Sequence, residues 1–225
     1  MINELKKELK LIKYSPKMFA QSGTLVLFMA MGMFMELRFL GRNITGGLYL
    51  VILSTLIAQM VYPMNYSGLF QSSPYKKIAQ TRWPLMITAP LSLITYTILV
   101  LLHIVLIKVG VDGITYEENY ATQSRYIFIL GLITFLVFAY LGICYKYFIQ
   151  GLLAFMIVGI PILRFSINES HFLYRFGSES LLRSVVLGYV LIFLGWGAFV
   201  ILSKVFYKKA LSTLAFRGIV SMSKN

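Results

Sequence analysis

The chain carries little of what most chemistry needs. Its 225 residues include one cysteine, two histidines and eight acidic side chains. With Cys144 alone there is no intrachain disulfide framework; it falls near the end of an apolar run and reads as packing. Asp112 is the sole aspartate, which excludes a dyad of aspartates sharing a proton. His103 and His171 lie far apart in sequence, so the paired ligands of a zinc hydrolase motif are missing. A serine nucleophile needs a base within hydrogen-bond reach, and no spacing here sets a serine beside His103. The phosphate-binding pattern G-x-x-x-x-G-K-[ST] is absent, so if the chain moves something uphill the energy has to come from another chain. Catalytic, cofactor-binding and metal-binding residues are therefore all expected to be none. G-x-x-x-G is missing as well.

Charge is also scarce. Charged residues make up 13% of the chain, against roughly 25% in soluble domains. What fills the space is apolar: 58% of residues are hydrophobic. They gather into long runs separated by short polar stretches, as a bilayer requires. Six runs approach the ~20 residues that cross a hydrocarbon core: 23–39, 46–64, 84–108, 126–144, 148–163 and 184–206. The fifth is the shortest, and only Tyr145, Lys146 and Tyr147 separate it from the fourth, which suggests a tight helical hairpin. The predicted fold is an all-α polytopic membrane protein of six transmembrane helices, one domain over 1–225.

Net charge is +13, yet its placement speaks for topology rather than nucleic acid. With the N-terminus inside, the inner segments hold fourteen of the Lys and Arg residues and the outer segments seven. Glu4 and Glu8 are the inner acids; Glu36, Asp112, Glu117, Glu118, Glu169 and Glu179 are outer. This positive-inside bias predicts both termini in the cytoplasm, with a tail at 207–225. The excess of lysine then serves attraction to anionic lipid.

Residues 1–20 form a separate piece. Five lysines spread over the first 17 residues are unlike a secretory leader. Ile2, Leu5, Leu9 and Ile12 recur at helical spacing, with Lys6, Lys7, Lys10 and Lys13 on other faces. This is the pattern of an amphipathic helix lying in the membrane interface. The alternative is a solvated basic tail.

Residues 65–83 are the longest inner connection. Ser73 reads as an N-cap and Pro74 as the first helical position, and Pro84 limits continuation. A helix of about two turns is predicted there, presenting Tyr75, Lys76 and Lys77 to the cytoplasm. It reads either as a docking element for a partner or as an ordinary interfacial turn with positive-inside lysines.

The outer segments are 108–125, acidic and polar, and 164–183, where charge mixes with Phe172, Leu173, Tyr174 and Phe176. The latter either dips back into the leaflet or forms a loop helix on the headgroups. Asn43-Ile44-Thr45 and Asn168-Glu169-Ser170 match the glycosylation pattern and carry no weight as such short matches. Ionisable residues within runs are Glu36, His103 and Lys108. Glu36 and Arg38, two apart, do not share a helical face. Seventeen Phe, fifteen Tyr and eleven Met suit either amphipathic cargo or lipid-facing and interfacial positions.

In order and layout the chain resembles the membrane subunit of an ABC-2-type exporter: an amphipathic N-terminal helix, six spans, and a coupling segment between the second and third. Gln71-Ser72-Ser73-Pro74-Tyr75-Lys76-Lys77, ending in Arg82-Trp83-Pro84, resembles the short coupling helix of small permeases in that family. The resemblance implies two copies of the chain with two cytoplasmic ATPase subunits, ATP binding on those partners, and contact with them through Ser73, Pro74, Tyr75, Lys76, Lys77 and Arg82. It also implies export of amphipathic peptides. Rival readings are a six-helix uptake subunit for a small solute such as a vitamin, an intramembrane enzyme using His103, and an immunity or scaffold protein that binds a peptide without moving it.

Overall fold

The computed structural model describes residues 18–65 and 72–209, together with Lys6, Lys10 and Lys13. Those three lysines are helical and exposed, and residues 18–20 of the expected interfacial helix belong to the helix Met18–Phe39; its other residues, residues 66–71 of the expected coupling segment and most of the tail lie outside the described residues. Every regular element among the described residues is helical. In chain order they are α1 (Met18–Phe39), α2 (Thr45–Asn65), α3 (Lys76–Thr81), α4 (Trp83–Val109), α5 (Tyr116–Cys144), α6 (Phe148–Ala154), a π-helical turn (Phe155–Gly159), α7 (Ile160–Ile167), α8 (Phe172–Ser178) and α9 (Leu181–Phe206). Five helices are long and apolar enough to cross a membrane: Ser22–Phe39, Lys76–Val109, Tyr116–Cys144, Phe148–Ile167 and Leu181–Phe206. α2 has 21 residues and no charged side chain, and its described apolar stretch, Thr45–Ala58, is shorter than these.

The helix at the centre is α5, and it starts ten residues before the expected span. The reason is local. Thr115 accepts a hydrogen bond from the Glu118 amide at 3.3 Å, and Glu118 Oε2 accepts one from the Thr115 amide at 3.1 Å. This reciprocal capping box satisfies two of the amides that a helix start leaves open. Glu117 and Glu118 also sit favourably at the positive end of the helix dipole. The segment 116–125, expected as outer loop, is thus the polar first part of α5.

From there α5 runs through the core. Ile127, Leu130, Phe138 and Leu141 are fully buried, against Tyr96 and Leu99 of α4, Leu50 and Leu53 of α2, and Ile192 and Phe199 of α9. The α5–α9 pair is the most extensive. In lipid, apolar surface alone does not drive helices together; close backbone approach does. Glycine supplies it here. Gly131 faces Gly188, Gly142 lies beside Phe199 and Leu202, and Gly195 meets the Phe135 backbone. The contact positions are spread over both helices, which is why the missing G-x-x-x-G gives no hint of them.

The fifth expected run is longer than predicted and irregular. It extends from Phe148 to Ile167, and its middle winds as a π turn just before Pro161. Proline lacks an amide proton and crowds the preceding turn, and a wide turn accommodates it. α6 follows α5 after three residues, the tight hairpin expected. Within the segment 164–183 lies the short helix α8 (Phe172–Ser178), whose Phe176 packs edge-on against Phe128 of α5 at 6.1 Å. Ser184 Oγ ties it down by donating to the Gly177 carbonyl at 2.8 Å. The two glycosylation-like triplets have a structural role: Asn43 Oδ1 accepts from the Thr45 amide at 3.1 Å, and Asn168 Oδ1 from the Ser170 amide at 3.1 Å. Both are turns closed by an asparagine side chain.

Candidate functional site

Two places in the bundle gather polar and aromatic side chains, one at each end. At the first, α3 lies between α2 and α4. Its start differs from the expected one. Ser73 and Pro74 form a turn, with Ser73 Oγ accepting from the Tyr75 amide at 3.1 Å and the Ser73 carbonyl from the Lys76 amide at 3.1 Å. The N-cap position is Tyr75 and the helix opens at Lys76. The pyrrolidine ring therefore directs the turn instead of occupying the first helical position. Six residues give fewer than two full turns.

The helix is held from beneath. Ala79, Gln80 and Thr81 are buried, as is Trp83 one residue past Arg82. The Tyr75 ring stacks on Trp83 at 6.4 Å with an interplanar angle of 27°. Pro74, Tyr75, Lys77 and Arg82 are exposed, while Ser73 and Lys76 are half-buried. The expected docking residues thus share one short element and its flanks, with one side anchored and a basic, aromatic side open. α3 also touches α9.

Beside it, Lys146 in the α5–α6 turn is buried. Its ammonium donates to the Tyr207 carbonyl and, at 2.6 Å, to the Lys209 carbonyl, closing the negative end of α9. Tyr145 OH adds a bond to the Ser203 carbonyl at 2.8 Å. Burial, and secondarily the neighbouring Lys76 charge, pull the Lys146 ammonium down to about 8. Lys146 is a residue that sequence reading counted only as a positive-inside charge.

At the opposite end, α1, α2, α4 and α5 meet around Glu36 and His103. In sequence these are separate ionisable residues in different runs. In the structure, Glu36 Oε1 and His103 Nε2 lie 3.2 Å apart, with side chains 1% and 0% exposed. Tyr126 OH donates to Glu36 Oε2 at 2.6 Å and accepts from the Gly47 amide at 3.1 Å. His103 Nδ1 contacts Gln123 Oε1. Gln123 Nε2 donates to the Leu40 carbonyl at 3.0 Å and to Asn119 Oδ1 at 3.1 Å, and Asn119 Nδ2 donates to the Leu106 carbonyl at 3.0 Å.

The backbone is shaped to admit this cluster. Gly46 leaves room for the Glu36 carboxylate, since a β-carbon there would sit 2.5 Å from Oε2. Leu40 has a φ of 49° and Gly41 a φ of 74°. A left-handed leucine is strained, and here it aims its carbonyl at Gln123. Tyr126 also walls a cavity of about 210 Å³ lined by Arg42, Asn43 and Arg125. Asn119 borders a second cavity, of about 430 Å³, beside Lys108 and Asp112. Gln123, Asn119 and Tyr126 escaped sequence reading because they lie before or at the expected start of the fourth span. Their spacing of three and four residues, one helix face, was the available signal.

Each ring nitrogen of His103 faces a carboxyl or amide oxygen, and no serine hydroxyl takes either place. Among the described residues no group of three or more His, Cys, Asp or Glu side chains is arranged to hold a metal. No family model, curated protein or solved structure matches the chain.

Proposed function

We propose that this chain is the membrane subunit of an ATP-driven exporter of the ABC-2 type, carrying amphipathic peptides or other hydrophobic cargo outward. In this reading α2 is a sixth span, both termini are cytoplasmic, and the chain sits in the cell membrane as a homodimer beside a separate cytoplasmic ATPase. The chain itself is not an enzyme.

The observation that carries the reading is α3. A short helix set between two apolar helices, rooted by Trp83 and buried Ala79, Gln80 and Thr81, packs against both α2 and α4. Its open side offers Tyr75, Lys77 and Arg82. Tyrosine and arginine are favoured at protein interfaces because each joins a large apolar body to a polar tip. A partner bound there has a lever on the bundle. ATP binding draws the two ATPase subunits together, the α3 helices of two copies follow, and a cavity between the copies opens outward.

The test is a mild-detergent pull-down of the tagged chain from its native membranes, followed by mass spectrometry. A stoichiometric ABC-type ATPase is the expected companion. Recovery of the chain alone, or with a large shared energising module, overturns the exporter reading; the second result favours uptake of a small solute.

A further inference from the structure

We propose that Glu36 and His103 form a buried proton-binding site that locks the ends of α1, α2, α4 and α5 together. The site follows from a count of hydrogen atoms and is independent of the export reading.

Begin with the groups whose roles are fixed. The Leu40 and Leu106 carbonyls can only accept. Gln123 therefore turns its nitrogen to Leu40, which leaves Oε1 facing His103. Asn119 turns its nitrogen to Leu106, so its Oδ1 also accepts from Gln123. An oxygen facing His103 Nδ1 requires that nitrogen to carry hydrogen. On the other side, the Gly47 amide can only donate, so Tyr126 oxygen accepts from it and the hydroxyl hydrogen goes to Glu36 Oε2.

One contact remains, Glu36 Oε1 to His103 Nε2 at 3.2 Å. Neither atom has a hydrogen-bond partner, each other included, and the pair stands at ion-pair distance. A single proton placed between them serves both atoms. The proton resides on the carboxyl beside a neutral imidazole, or on the imidazole beside a carboxylate; the site is neutral overall in both cases. Without it, a carboxylate oxygen faces a lone pair with both groups buried, an arrangement a buried site does not sustain. With a second proton, two hydrogens collide.

Other charges do not substitute. Tyr126 is the remaining titratable group in contact, and its hydroxyl is engaged. Arg42 turns to the Asp112 carbonyl, and Arg125 lies over the Tyr174 ring at 4.2 Å. Glu36 belongs to α1 and His103 to α4, so moving these helix ends apart separates the proton's two holders. Opening this end of the bundle and exchanging the proton with water are then a single event.

The chain has two histidines, so the His171→Gln variant labelled with ¹⁵N-histidine reports His103 alone by NMR in micelles. The expected spectrum has hydrogen on Nδ1 and a hydrogen-bonded Nε2. Glu36→Gln is the decisive variant: its amide nitrogen at the Oε1 position donates to Nε2, and its carbonyl accepts from Tyr126, copying the proton-loaded site. It is expected to fold, to keep hydrogen on Nδ1 and to leave Nε2 without a hydrogen of its own. Glu36→Ala, which fills neither role, is expected to lose the unfolding transition or lower it well below that of Glu36→Gln. Hydrogen on His103 Nε2 in place of Nδ1 in Glu36→Gln overturns the proposal, as does a Glu36→Gln protein no more stable than Glu36→Ala.

Discussion

Gly131 and Gly188 bring the backbones of α5 and α9 into direct contact: a β-carbon on Gly131 would stand 2.5 Å from the Gly188 Cα. Nothing flexible lies between them to yield. Gly131→Leu is therefore expected to destabilise the bundle by about 1–3 kcal/mol or more, the range for overfilled cores. Gly197, on the same α9, has nothing within 4 Å of where its β-carbon would be. Gly197→Ala is expected to be neutral or to stabilise by about 0.5–1 kcal/mol through helix propensity. Reversible unfolding in mixed micelles measures both, and equal effects at the two positions would contradict the packing described.

The α3 surface predicts a separation of functions. Tyr75→Ala with Lys76→Glu and Lys77→Glu leaves Ala79, Gln80, Thr81 and Trp83 in place. Such a protein is expected to insert and fold as before but to lose the ATPase on pull-down and to uncouple ATP hydrolysis from export. Unchanged export speaks against the assignment of this surface.

The capping box at the start of α5 is expected to behave as a local clasp. Thr115→Ala removes the side-chain acceptor for the Glu118 amide and should cost about 1 kcal/mol. Because the loss is at one helix end, it is expected as faster hydrogen exchange over residues 116–119, with little change in the core of α5. Uniform acceleration along α5 would mean that the box supports the whole helix.

Lys146 gives a pH dependence with a definite sign. Its folded value is pulled down to about 8 from an ordinary 10.5. The folded protein thus binds fewer protons than the unfolded one between these values, so stability rises with pH across that window and is flat for this group below it. Lys146→Met is expected to flatten the slope. Lys76→Ala, which removes the lesser cause, is expected to shift the start of the window upward. Unfolding midpoints between pH 7 and about 10.5 measure the effect; a slope that survives Lys146→Met belongs to another group.

Much of the fold was legible as hydropathy. The helix ends at Phe39, Cys144 and Phe206 coincide with the ends of apolar runs, because a run of that length has few ways to satisfy its backbone other than helix. The first ten residues of α5 were not legible in this way. They are polar, and hydropathy stops where polarity begins, while the Thr115 and Glu118 pair that extends the helix is a pattern of two residues. The irregular middle of the helix from Phe148 to Ile167 was hidden for a related reason: Pro161 marks a disturbance without saying whether the chain kinks, breaks or widens. The expected α3 was present, but Ser73 caps a turn instead of the helix, since Pro74 suits both. Glu36 and His103 were visible singly. Their meeting depends on how α1 and α4 are placed by Gly46 and the left-handed Leu40, which is three-dimensional information that no spacing along the chain holds.

The distribution of polarity inverts the usual plan. Glu36, His103, Asn119, Gln123, Ser124 and Thr134 are buried, while Val26, Leu27, Phe34, Ile157, Leu182 and Phe193 are more than half exposed. Such a molecule keeps its adhesive on the inside as directional bonds and wears its solubility in oil on the outside. Stripped of detergent, it is expected to clump while its helices remain joined, so turbidity on dilution reports the loss of a solvent and not the loss of a shape.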